Sequence, residues 1–285
     1  MIDHFSHGLM TPVIAYAVSV IGSFIGLTAA TRARAATTSA SRWMWLVLSA
    51  VCLGGTAVWS MHFIAMMGFR VSGTPIRYDA GLTIASGLLA IGVMGVALYL
   101  TIRRQTNMWL LVSGGIAGIG IVSMHYMGMA SMNMHGEMQH NPLFVAAAIA
   151  IALAAATVAL WFAWRLNGAV AILAASLLMG VAVSAMHYVG MMGVSVELEG
   201  HNHAQMPPGS ASSDLLLPLV VGLFVFLLVA SLFLMLGVDD NADRARKGSG
   251  RGADRRTAGA SAAASSAGDD GYTARHGSVD NWKRP

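Results

Sequence analysis

From Met1 to Val238 the chain contains no lysine at all; its two lysines are Lys247 and Lys283. The same stretch holds only eight Arg and six acidic residues. Charged residues make up 11% of the 285-residue chain, against roughly a quarter in soluble domains. So few charges cannot cover a surface that faces water on all sides. Cysteine is nearly absent too. The lone Cys52 excludes an internal disulfide framework, and it reads as a packing residue. Without a lysine in its apolar segments, the chain cannot form the Schiff base of a retinal pump. Without a carboxylate there, it lacks the usual relay of proton-coupled transport. No nucleophilic triad and no phosphate-cradling glycine loop is legible. The net charge of +4 is split evenly between residues 1–238 and the remainder, and no basic patch carries interleaved aromatics, so nucleic acid is not an expected partner.

What the chain has in abundance is apolar length. Hydrophobic residues make up 56%. Seven runs, at about 11–31, 45–68, 80–102, 109–130, 143–164, 168–193 and 215–237, each match the ~20 helical residues that cross a ~30 Å bilayer core. Their short separators sort by charge. Arg32, Arg34, Arg42, Arg103, Arg104 and Arg165 fall in one set of loops, as do the nine basic residues after Val238. The other set carries Arg70 and Arg77 with Asp79, Glu137, Glu197 and Glu199. The positive-inside rule places the first set in the cytoplasm and the N-terminus outside. Trp43, Trp45, Trp109, Trp161 and Trp164 lie at the inner ends, as an interfacial belt would. The leader before the first run lacks the positive charges of a signal peptide, so that run reads as a retained span. The expected organisation is a seven-helix membrane domain, 1–238, followed by a disordered cytoplasmic tail, 239–285. The tail is rich in Ala, Gly, Ser, Arg and Asp and poor in apolar residues that could bury a core.

The second, fourth and sixth runs end alike, with a period of 62–63 residues. The three units read Ser60-Met61-His62-Phe63-Ile64-Ala65-Met66-Met67, Ser123-Met124-His125-Tyr126-Met127-Gly128-Met129 and Ala185-Met186-His187-Tyr188-Val189-Gly190-Met191-Met192. Each carries Met, His, an aromatic, and a second Met four residues after His. A glycine stands seven residues before each His (Gly55, Gly118, Gly180), and it predicts close helix contact. At 100° per residue, the Met at His+4 lies about 40° from its His, one turn further out. Three helices running the same way would set the three His at one depth near the outer surface. The fold expected is therefore an all-α integral membrane protein of three two-helix repeats plus one helix.

Thirteen of the 20 methionines fall at outer helix ends or in outer loops. Thioethers with imidazole suit copper, Cu(I) above all. The expected ligands are His62, His125 and His187 with Met61, Met66, Met124, Met129, Met186 and Met191. Further His and Met on the same side (His4, His7, Met132, Met134, His135, His140, His201, His203) are secondary candidates. Alternatives from the residues alone are a structural role for the His, membrane copper handling by transport or chaperoning, and a haem protein. Sparse soft ligands in the inner halves (Cys52, Met94, Met179) argue against conduction. The absence of a Cys-x-x-Cys-His attachment site argues against covalent haem.

The triplicated motif resembles that of the bacterial MHYT family over residues 1–238. The first run is similar too, with Ser19 and Ser23 inside it and Arg32 at its end. The chain departs from the name motif at Phe63, Ile64, Met127 and Val189. The resemblance implies an integral-membrane sensory domain for a diatomic gas (O2, CO or NO) acting through copper held by the nine His and Met residues above. Many members carry cyclic-dinucleotide or histidine-kinase output domains. None is legible here, so the expectation is a multi-pass cell-membrane sensor, not itself an enzyme, that signals to a cytoplasmic partner.

Overall fold

The structure is a computed structural model that describes residues 2–3, 6, 8–197, 206–211, 214 and 217–236. The expected tail at 239–285, and His4, His7, His201 and His203, lie outside the described residues. Contacts divide the chain at Leu232, and among the described residues seven helices are long and apolar enough to cross a membrane. They are Met10–Ala35, Ser39–Met66, Ala80–Arg104, Asn107–Ala130, Pro142–Arg165, Ala169–Met192 and Leu217–Leu236. The chain is an all-α, multi-pass membrane protein. Such an architecture satisfies every backbone group within its own helix where no water is available.

Local sequence explains where helices begin. Thr38, Asp79, Thr106 and Asn141 cap the second to fifth helices by accepting backbone N–H bonds from Ser41, Leu82, Trp109 and Leu143. Pro142 stands at the first helical position, where its missing N–H costs nothing. Gln105, at φ 50°, turns the third helix tightly into the fourth. Two boundaries differ from the sequence expectation. Arg32 and Arg34 lie in the last turn of the first helix, and Arg42 lies inside the second, which starts at Ser39. Helix continues beyond the apolar core because Ala and Arg are good helix formers. These arginines lie at the same end of the bundle as Arg104 and Arg165. Arg32 stacks over Trp45, Arg104 over Trp109 and Arg165 over Trp164.

The first six helices close a ring: each touches the next, and the first touches the sixth. Within it, the second helix touches the fourth and the sixth directly, and Gly190 of the sixth lies against His125 of the fourth. Small residues set the spacing. A Cβ at Gly118 would meet Leu153 at 2.8 Å, and one at Gly180 would meet Val20 at 2.7 Å. Gly55 faces Ile91 at 3.2 Å. All three glycines at His−7 thus serve helix contact, as the motif predicts. The seventh helix borders an apolar cavity of about 290 Å³ with the second and third. Short strands, unforeseen in the sequence, cap the outer end. Ile2–Asp3 pairs with Arg70–Val71, Arg77–Tyr78 pairs with both Met132–Asn133 and Ser210–Ala211, and Glu137–His140 pairs with Val194–Glu197.

Candidate metal centre

His62 lies four residues before its helix ends at Met66, and His125 and His187 lie five before Ala130 and Met192. At 1.5 Å per residue the three stand at a common depth, about 6–8 Å below the helix ends. All three are buried. Their Nδ1 atoms converge: His62 Nδ1 lies 3.0 Å from His187 Nδ1 and 3.2 Å from His125 Nδ1. The rings stand nearly perpendicular, with centroids 4.9–5.4 Å apart. One ligand atom from each lies within 4.8 Å of the others. Each ring also meets the edge of the aromatic that follows it in sequence, Phe63, Tyr126 or Tyr188.

The opposite ring edges are closed by backbone. A Cβ built on Gly128 would lie 2.4 Å from His62 Nε2, and one on Gly190 would lie 2.7 Å from His125 Nε2. Each of these imidazoles therefore lies against the glycine three residues after the His of the next repeat. The first motif has Ala65 at the equivalent place. These glycines are quoted in the motif itself, but their role is invisible until repeats are placed against each other. His62 Nε2 and His125 Nε2 have no hydrogen-bond partner among the described residues.

A neutral imidazole offers one N–H and one bare nitrogen. Hydrogen bonding between Nδ1 atoms leaves a bare Nε2 on every ring that donates, buried without a donor. A cation shared by the three Nδ1 atoms takes one lone pair from each ring and leaves Nε2 as an N–H, which at His62 and His125 has no partner either among the described residues, so the fit rests on the spacing of the Nδ1 atoms. Nitrogens at 2.0–2.1 Å from one ion, at tetrahedral angles, lie roughly 3.3 Å apart. The observed 3.0 and 3.2 Å are close to that edge. The residues fit a metal ion.

The thioethers fall into two sets. Met66, Met129 and Met191 belong to one buried cluster with Phe63, Phe69, Tyr78, Met132 and Val194, and Met134 and Met138 pack against it. The three His+4 methionines thus meet one turn outward of the imidazoles. Met61, Met124 and Met186 are also buried, outside that cluster. Burial pushes the Tyr78 phenol above its ordinary pKa. Of the outer histidines, His140 packs on Tyr126 at 5.2 Å, where desolvation holds its pKa below the ordinary value. His135 donates its backbone N–H to Thr74. Neither joins the buried trio. Ser19 and Ser23 are buried, with hydroxyls lacking a partner among the described residues. Cys52 is a free, fully buried thiol in the second helix.

A membrane bundle with one buried imidazole per repeat defines a class of triplicated membrane domain. The repeat described as "Bacterial signalling protein N terminal repeat" (MHYT) matches residues 55–114, 118–176 and 180–246, starting each time at the glycine seven before the His. The chain belongs to the MHYT family, a membrane sensory domain. It is 40% identical over 153 residues to the bifunctional diguanylate cyclase/cyclic di-GMP phosphodiesterase MucR of Pseudomonas aeruginosa, covering 52% of this chain and 22% of that protein. It is 31% identical over 185 residues to the cyclic di-GMP phosphodiesterase NbdA of the same organism, covering 62% and 23%. It is 29% identical over 181 residues to the signaling protein YkoW of Bacillus subtilis, covering 59% and 21%. The chain spans under a quarter of the length of these curated relatives, whose enzymatic names describe the whole proteins. No solved structure matches it.

Proposed function

We propose that the chain senses a diatomic gas or redox state through one copper ion held by His62, His125 and His187, with Met66, Met129 and Met191 as the thioether layer above them. Met61, Met124 and Met186 are the remaining candidate ligands. The observation that carries the reading is the convergence of three buried Nδ1 atoms under three buried thioethers. Copper is favoured over zinc because the surroundings are thioethers and, among the described residues, the candidate ligand group consists of imidazoles without a carboxylate. When bound, copper supplies a one-electron redox centre and affinity for O2, CO or NO. The protein's part is to hold three imidazoles on three separate helices, exclude water with the thioether–aromatic layer, and fix the rings against glycine backbone.

Signalling requires that two helix arrangements hold the site differently. The trio joins the second, fourth and sixth helices, so a change in preferred ligand spacing shifts those three against one another and is felt at their cytoplasmic ends. The proposed output is a cytoplasmic signalling partner. We further propose that residues 1–238 act as the membrane unit. Elemental analysis of the purified full chain tests the metal step: one copper per chain in the wild type and none in the His62→Ala/His125→Ala/His187→Ala variant. An absorption spectrum with a Soret band would favour haem instead. Unchanged copper content of cells lacking the protein separates sensing from copper handling.

A further inference from the structure

We propose that the outer cavity beside Met66 and Met67 is a loading port, through which a soft monovalent cation of the Cu(I) class reaches the imidazoles from the outer face. The proposal rests on the reading of the trio as a metal site. The cavity, about 630 Å³, lies between the end of the second helix and the segment that follows it, and its wall includes Asp3, Met66, Met67, Arg70, Thr74 and Tyr78. Met67 is 37% exposed, whereas Met66 is 1% exposed. Met66 serves two environments at once. It lines the cavity and it packs in the buried cluster with Met129 and Met191. His62 lies one turn deeper on the same helix, about 6 Å along the axis. Thioethers therefore descend from water to the imidazoles in order: Met67 at the mouth, Met66 in the wall, then the buried trio.

Charge does not select at this mouth. Asp3 and Arg70 stand opposite one another across the paired strands, so acid and guanidinium balance. The remaining discrimination is softness, which thioethers supply through an uncharged sulfur. The glycine backbone of residues 128 and 190 closes the Nε2 edges of His62 and His125. Each hand-over forms one metal–ligand bond as another breaks, Met67 Sδ to Met66 Sδ to His62 Nδ1, with the charge of the ion unchanged.

The test uses the full chain in detergent and Ag(I), a soft ion that does not change oxidation state. Uptake is followed in a stopped-flow instrument and final stoichiometry by elemental analysis. Met67→Leu is expected to load at least tenfold more slowly and reach the same stoichiometry. Met192→Leu, 65% exposed at the end of the sixth helix, is expected to load at the wild-type rate. Ag(I) in excess over the trio, which keeps the mouth occupied, is expected to protect Met67 from peroxide oxidation, read by mass spectrometry. Loading of Met67→Leu at the wild-type rate, or equal slowing by Met192→Leu, overturns the port while leaving the trio intact. If the wild type takes up no Ag(I), or His62→Ala takes up as much, the metal reading itself fails and the port with it.

Discussion

Gly128 decides where the His62 ring can lie. A methyl group there would sit 2.4 Å from His62 Nε2, closer than any real contact, and the ring is held by two Nδ1 neighbours that leave little room to retreat. Gly128→Ala is therefore expected to weaken Cu(I) affinity by at least tenfold in a chelator competition, in the range seen for residues that orient metal ligands, while helix content by circular dichroism stays unchanged. Ala65→Gly, which only removes a methyl at the equivalent place, is expected to leave affinity within about twofold. His62 is the hub of the trio, touching both other Nδ1 atoms. The motif whose three His meet was legible because register repeated it three times, and repetition is visible in one chain. The part played by Gly128 and Gly190 was not, because each matters through a ring from another repeat.

The helices were legible in number and nearly in extent, since apolar length against bilayer thickness is a one-dimensional quantity. Their internal geometry was less so. Residues 51–60 of the second helix form a π-helix that runs directly into Met61 and His62. No residue pattern announces it, because Gly54 and Gly55 serve equally well as contact points. Ser60 Oγ donates to Gly55 O, five residues back, and Trp59 Nε1 donates to Ser86 Oγ and Thr83 O. Wide turns of this kind are rare and often mark functional sites. Trp59→Phe removes those two bonds, and it is expected to lower copper affinity through the second helix alone. The check is whether the loss disappears in a His62→Ala background. At the opposite end, Arg34 donates to Trp164 O, Leu166 O and Asn167 Oδ1, tying the first helix to the turn between the fifth and sixth. Hydrogen bonds from a charged group are worth about 1.5–3 kcal/mol each when buried, and these three, at a half-exposed end of the bundle, are weakened by solvent screening and are not additive. Arg34→Ala is expected to cost about 2 kcal/mol, read as a lower thermal midpoint in detergent, with metal content unchanged. The sequence assigned Arg34 only to an orienting loop, since a charge count cannot see the carbonyls that it would meet.

For the whole molecule, three repeats close a ring, yet they are not equivalent. The first carries Ala65 where the others carry glycine, and its Met66 borders the outer cavity. A threefold arrangement holding one centre lets any change there act on three helices together. The short strands at the mouth of the bundle join the segments that follow the second, fourth and sixth helices. Binding a ligand only to the folded state stabilises it by about 2.7 kcal/mol at a hundredfold excess over Kd. Copper is accordingly expected to raise the thermal midpoint of the wild type and to leave the triple His variant unmoved. The most direct measurement is the copper content of the purified full chain together with that of the His62→Ala/His125→Ala/His187→Ala variant. The account predicts one copper per wild-type chain and none in the variant. Equal copper in both, or none in the wild type, would contradict it.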